Sequence, residues 1–300
     1  MKLFPDRILL ATDGSQDAAL AARVVADLSS ATGAELHIVH AWQAELPKKA
    51  YAVTVPHSTI TWLEQRAQKL LAKQVEHIED AGGMVVEAHL VRGRPVDAIL
   101  DLCEQLGSVL VVMGSRGLGS VGRILIGSAS EGVVHHSNHP VLVVRGGVQG
   151  WPPHRVVIGA DFSEDARAAG DLAAIIGRHY GAQGILVRAL PEIAPRSQLP
   201  QDPREDYDGL IENLLDSEEQ ALEERAGELS GQLGQRLKVE VALGEAATTI
   251  LKIAGDDEST LVAVGSRGLG AVGRARLGSI STKVLRAARG PVLVYPHPRD

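Results

Sequence analysis

The chain has 300 residues, more than one hydrophobic core usually organises, so two domains are the first expectation. A formal net charge of −7 argues against a nucleic-acid partner, and the single cysteine, Cys103, excludes an intrachain disulfide and fits a reducing compartment. The opening stretch MKLFPDRILLATDGS is broken by Pro5, Asp6 and Arg7 and does not read as a secretory leader; no run approaches the roughly 20 apolar residues of a membrane span, so a cytoplasmic protein without membrane contact is expected.

In chain order, Ile8–Thr12 reads as a short buried strand. Ser15 can cap a helix that runs through Thr32 and closes at Gly33, with Asp17 in the first turn where the helix dipole favours an anion. Leu36–Ala41 is a second strand. Leu63, Ala67, Leu70, Leu71 and Ile78 recur at helical spacing and form a core-facing stripe. Val85–Val91 is a third strand, Val96–Leu106 a helix, Val109–Met113 a fourth strand, Ser128–Ser137 a helix and Val141–Val144 a last strand. Short apolar strands alternating with helices predict a parallel sheet covered on both faces, with ligands beyond the carboxyl ends of the strands.

This plan is written twice. VVMGSRGLGSVGRILIGSAS at Val111–Ser130 returns as VAVGSRGLGAVGRARLGSIS at Val262–Ser281; RILLATDGSQDAA returns as RVVIGADFSEDAR near Arg155; HPVLVVR returns as GPVLVYP. Ser163, Asp165 and Gly181 repeat the helix signals of Ser15, Asp17 and Gly33. The expected organisation is one α/β domain over 1–146, a second over 154–300, and a Gly- and Pro-containing linker over 147–153.

Gly117, Gly119 and Gly122 match the dinucleotide fingerprint G-x-G-x-x-G, but in the wrong place. That fingerprint belongs in the first strand–helix turn with an acid at the end of the next strand; here it follows the fourth strand, and the next strand ends in Arg145. A different pattern fits both copies: Gly114, two residues, Gly117, nine residues, Gly127-Ser128, and likewise Gly265, Gly268, Gly278-Ser279. Gly114 and Gly117 leave a strand end bare for close approach of a ligand, and Gly127-Ser128 opens a helix whose unpaired N–H groups suit phosphate. Asp13, at the same sheet edge, can accept hydrogen bonds from ribose hydroxyls. Arg116 and Arg267, between the motif glycines, suit either phosphate or a solvated loop or interdomain ion pair.

The pattern, with ATDGS, LHIVHAW, GSRG and HPVLVV around it, resembles the universal stress protein family in its tandem form. The resemblance implies two five-stranded parallel α/β sandwiches of strand order 3-2-1-4-5, each binding ATP, with Mg²⁺. It implies a role in the stress response, protein partners that the sequence does not identify, and last strands that pair across a dimer. The two halves would then make a pseudo-dimer, with a further homodimer left open. By position, Thr12 and Asp13 would meet ribose, Ile38 adenine, Met113 and Gly114 ribose and phosphates, and Gly117, Gly127, Ser128, Ala129 and Ser130 the triphosphate. The second-half counterparts are Ala160, Asp161, Leu186, Val264, Gly265, Gly268, Gly278, Ser279, Ile280 and Ser281. Gly14 becomes Phe162, which would be strained if that position needs a positive φ.

No metal-holding carboxylate set accompanies the glycines. Glu131 lies near, but its counterpart is Thr282, so binding without catalysis is expected, against the alternatives of slow ATP hydrolysis and a nucleotide-free interaction module. His135, His136 and His139 read as a surface helix end rather than a metal site, and Cys103 as a packing residue rather than a catalytic thiol.

Overall fold

The computed structural model describes residues 4–43, 56–117, 126–145, 147–191, 204–267 and 277–297. The chain divides into two compact units, Met1–Val148 and Gln149–Asp300.

The first unit runs β1 (Arg7–Ala11), α1 (Gln16–Thr32), β2 (Glu35–Trp42), α2 (His57–Asp80), β3 (Val85–Arg92), α3 (Pro95–Leu106), β4 (Val109–Gly114), α4 (Ser128–His136) and β5 (Val141–Val144). Its strands are parallel, in the order β3-β2-β1-β4-β5. The second unit repeats this with β6 (Arg155–Gly159), α5 (Glu164–His179), β7 (Gln183–Leu190), α6 (Arg204–Leu233), β8 (Lys238–Leu243), α7 (Ala246–Ala254), β9 (Thr260–Gly265), α8 (Ser279–Ala287) and β10 (Val292–Tyr295), in the order β8-β7-β6-β9-β10. Each unit thus has the fold expected from the sequence. Parallel strands need crossovers, and the helices supplying them cover both faces. That is why Ile8, Leu9, Leu10 and Val109–Val112 are almost wholly buried rather than alternating.

Helix ends follow the local chemistry. The Ser15 hydroxyl accepts the Ala18 N–H at 3.3 Å, and Gly33, at φ +70°, closes α1 by donating its N–H to the Ser29 carbonyl at 2.8 Å. Ser163 caps α5 in the same way through the Ala166 N–H. The stripe on α2 turns inward, burying Ala67, Leu71 and Ile78; the buried Gln74 amide oxygen accepts the Thr12 hydroxyl at 3.1 Å. Among the described residues no helix is long and apolar enough to cross a membrane.

At the open edge of the first sheet, His37 on β2 stacks against His89 on β3. Burial, and then the His89 ring, hold the His37 pKa below its ordinary value, so this imidazole is neutral at neutral pH.

Candidate functional site

A cleft of about 540 Å³ lies at the carboxyl ends of the first unit's strands. Its apolar wall comes from Val39 and Ala41 on β2, Pro95 and Ile99 on α3, and Met113 on β4. Its polar rim comes from Thr12 and Asp13 after β1, Arg116 and Gly117 after β4, and Gly127, Ser128, Ala129 and Ser130 at the start of α4. The parallel topology puts every strand's carboxyl end at one edge, so segments a hundred residues apart converge there.

The rim is rigidly built. Asp13 Oδ1 accepts the Ser15 N–H at 3.0 Å. Its other oxygen stands where a side chain on Gly117 would project, so Gly117 is bare because a carboxylate fills that space. Gly114 is bare for another reason: a Cβ there would come within 2.6 Å of the Asp17 backbone carbon, so the glycine lets the first turn of α1 press on β4. Gly114 also lines the cleft, and its missing side chain serves helix–strand packing. The Gly127 N–H donates to the Ser115 carbonyl at 2.7 Å, and Glu131 N–H returns to Gly127. The first N–H groups of α4, on Ser128, Ala129 and Ser130, precede the first intrahelical bond and point out of the helix start. The Ser130 hydroxyl donates to the Gly114 carbonyl at 2.8 Å, so this side chain ties α4 to β4 and leaves its N–H for a ligand.

Arg116 forms a bidentate pair with Asp17: Nε to Oδ2 at 3.0 Å and Nη2 to Oδ1 at 3.1 Å. This pair lies within the first unit rather than between the two. The hydrogen bond to Asp17 raises the guanidinium pKa further. Ser115 donates its hydroxyl to Asp17 at 2.7 Å. Arg145, half-buried nearby, is pushed down to about 10 by desolvation, against the pull of the Asp17 carboxylate.

Ile38, expected against a base, is fully buried on the other face of the sheet. Successive side chains on a strand point to opposite faces, so the wall falls to its neighbour Val39 and to Ala41. Leu186 shows the same displacement: it lines a cavity of about 10 Å³ with Ala160, Phe162, Arg225 and Leu229, on the α6 side. Pro95 and Ile99 were not singled out in the sequence, because nothing local marks a helix start 80 residues after Asp13 as part of the same cleft.

The second unit repeats the frame. A Cβ on Gly265 would lie 2.7 Å from the Ala166 nitrogen, the Gly278 N–H donates to the Ser266 carbonyl at 2.6 Å, and the Ser281 hydroxyl donates to the Gly265 carbonyl at 2.6 Å. Asp161 accepts the Ser163 N–H at 3.0 Å, as Asp13 does that of Ser15. Val264 is buried, while Ser279 and Ile280 are exposed in the first turn of α8. Gly268 lies outside the described residues.

The differences gather at the apolar end. Ala11 of the cleft is replaced by Gly159, and the Ile250 Cδ1 stands 2.9 Å from where a Gly159 side chain would begin. Phe162 keeps the left-handed turn of Gly14, at φ +64° against +77°, and is the one non-glycine residue with positive φ among those described. That conformation costs an L side chain about 1–2 kcal/mol. Arg188 offsets part of it, lying 5.0 Å over the Phe162 ring while its Nε binds Glu218 at 3.0 Å. Asp165, the counterpart of Asp17, is fully buried and accepts the Arg267 N–H at 2.7 Å instead of a guanidinium.

Cys103 is fully buried and its thiol is pushed up to about 12 by that burial, which makes it inert. At the expected surface helix end, His136 bonds the Gly132 carbonyl at 2.8 Å and His139 lies 3.9 Å from Glu104.

The profile of the universal stress protein family matches residues 5–145 and again 153–296. The chain belongs to the universal stress protein family. It is a tandem member, carrying the family's domain twice. A universal stress protein of Mycolicibacterium smegmatis is 26% identical over 308 residues, with 96% of each chain covered. The universal stress protein in the QAH/OAS sulfhydrylase 3′ region of Thermus aquaticus is 40% identical over 138 residues, 46% of this chain and 97% of that one. Among solved structures, a universal stress protein from Archaeoglobus fulgidus DSM 4304 shares the fold, with a TM-score of 0.66 at 24% identity, covering 97% of this chain and 98% of that one.

Proposed function

We propose that the first half of this universal stress protein binds ATP, with Mg²⁺, and that occupancy acts as a switch in a cytoplasmic stress response. One observation carries this reading: an apolar wall and an open helix N-terminus share a single cleft of about 540 Å³, a size typical of small-molecule sites. In this arrangement the base lies among Val39, Ala41, Pro95 and Ile99, Asp13 accepts hydrogen bonds from the ribose, and the N–H groups of Ser128, Ala129 and Ser130 receive phosphate oxygens. Arg116, clamped by Asp17, adds charge without leaving its partner. Phosphoryl transfer needs carboxylates to hold metal and to position a nucleophile. The cleft is lined by one carboxylate, Asp13, already engaged by Ser15, which favours binding over turnover. Binding regulates if ATP favours one conformation over another.

The second half keeps the phosphate-side frame but has Gly159 for Ala11 and Phe162 for Gly14 at the base end, so its affinity is weaker. Calorimetric titration of the intact protein with ATP tests both statements. A saturable first-half site is expected. Gly117→Ala, which drives a methyl into the Asp13 carboxylate, weakens it by about tenfold or more at unchanged melting temperature. The second site is expected to saturate only at higher ATP concentration. An isotherm indifferent to Gly117→Ala and Asp13→Ala would refute the assignment. No binding at all, with no nucleotide released on denaturation, would establish the nucleotide-free module instead. Sustained hydrolysis lost with Gly117→Ala would establish an enzyme.

A further inference from the structure

The edge of the first sheet carries a side-chain cluster that the nucleotide cleft does not use. Parallel pairing of β2 with β3 sets His37 opposite Glu87 and Val39 opposite His89. Because side chains alternate, Glu35, His37, Glu87 and His89 all stand on one face. His37 Nδ1 lies 3.2 Å from His89 Nε2, and that same His89 nitrogen lies 3.8 Å from Glu87 Oε2. Among the described residues this is the one group of three such side chains whose ligand atoms all fall within 4.8 Å of one another.

Zinc bonds of about 2.0–2.1 Å in tetrahedral geometry hold neighbouring ligand atoms about 3.3–3.4 Å apart. The two imidazole nitrogens are at that spacing already. Glu87 is exposed, and a small rotation brings its carboxylate in. The inner side of the cluster is equally suggestive. His37 is only 4% exposed, and its Nε2 is buried with no hydrogen-bond partner. The group facing that nitrogen is Glu35, whose Oε2 is 3.9 Å away and is itself held by Arg7 at 2.9 Å. A carboxylate behind an imidazole fixes the proton on the far nitrogen and leaves the near lone pair for a metal. The fold does not require these residues. At the matching register positions the second sheet has Ile185 for His37, Lys238 for Glu87 and Glu240 for His89.

We propose that His37, His89 and Glu87 form a site for a divalent transition metal of the Zn²⁺ class, with Glu35 orienting His37 and the fourth coordination position open to solvent or an incoming ligand. Two imidazoles with one carboxylate suit Zn²⁺, whereas Mg²⁺ and Ca²⁺ call for oxygen ligands. The site stands apart from the ATP reading: none of its residues lines the cleft.

The test is titration of the full chain with Zn²⁺, and with Co²⁺ as an optical probe. One ion bound per chain is expected, with visible Co²⁺ bands that Zn²⁺ abolishes. His89→Gln weakens binding by about tenfold or more, and so does His37→Ile, which installs the residue of the second sheet. His136→Asn leaves it unchanged, and the ATP isotherm is the same in all three variants. His89 is partly exposed, so if His37→Ile fails to fold, His89→Gln decides alone. Absence of saturable binding, or binding that survives His89→Gln, overturns the proposal; loss in His136→Asn instead assigns the ion to the α4 histidines.

Discussion

The two halves of this protein share a frame and differ in what the frame surrounds. Gly114 and Gly265 both admit the first turn of a helix onto a strand, and Ser130 and Ser281 both tie the following helix to that strand's carbonyl. Around these fixed points the first half opens a cleft lined by Ala11 and Ile99, whereas the second has Gly159 in place of Ala11 beside Ile250, the counterpart of Ile99, puts Phe162 into a left-handed turn and buries Asp165, which accepts the Arg267 N–H. Part of the glycine motif is thus architecture. Both halves must keep it to fold, whether or not both bind ligand.

The largest expected effect tests that shared frame. Gly114→Ala and Gly265→Ala each force a methyl into helix backbone at 2.6 and 2.7 Å, and each should cost about 2–3 kcal/mol in chemical denaturation. If one half tolerates the change, the frames are not equivalent. Next comes the carboxylate. Asp17→Asn breaks a partly buried bidentate pair beside a second, half-buried arginine and should cost about 2 kcal/mol. Asp165→Asn keeps an oxygen for the Arg267 N–H and removes a buried charge, so it should stay within about 1 kcal/mol of the parent. Equal melting shifts for the pair would erase this distinction.

The smallest effect concerns acid. Lys283 beside Glu245, then the Thr248 hydroxyl, hold this cap of α7 down at about 2, below its ordinary value of 4.5. A depressed carboxylate stabilises the fold above its unfolded pKa. That contribution is therefore complete above about pH 4.5 and lost as pH falls towards 2. Glu245 is half exposed, so screening limits the contribution to about 0.5–1 kcal/mol. Glu245→Ala should flatten stability across this window. Arg94→Ala should not, since Arg94 makes no side-chain cap to α3.

Much of this was legible beforehand. Strand and helix periodicity, Ser15 and Gly33 as caps, and the repeat itself are local or serial signals, and the convergence of Asp13, Gly117 and Gly127 follows from a parallel sheet. Ile38 falls one residue off the cleft wall because a strand's inward face depends on which helix covers it, and apolar runs buried on both sides carry no alternation to reveal that. Arg116 was ambiguous because its partner, Asp17, lies 99 residues earlier. The His37, Glu87 and His89 cluster was invisible because strand pairing, not spacing, brings residues 52 apart into contact.

By itself the sequence determined what depends on short-range order: the duplicated α/β plan, its caps and turns, and the kind of chemistry gathered at the strand ends. Only the tertiary structure decided which atoms each side chain meets. It turned a motif glycine into a seat for a helix and an arginine into the partner of an aspartate, and it put Val39 rather than Ile38 on the wall of the cleft. Those outcomes depend on side-chain direction and close packing between distant segments, which separation along the chain does not encode.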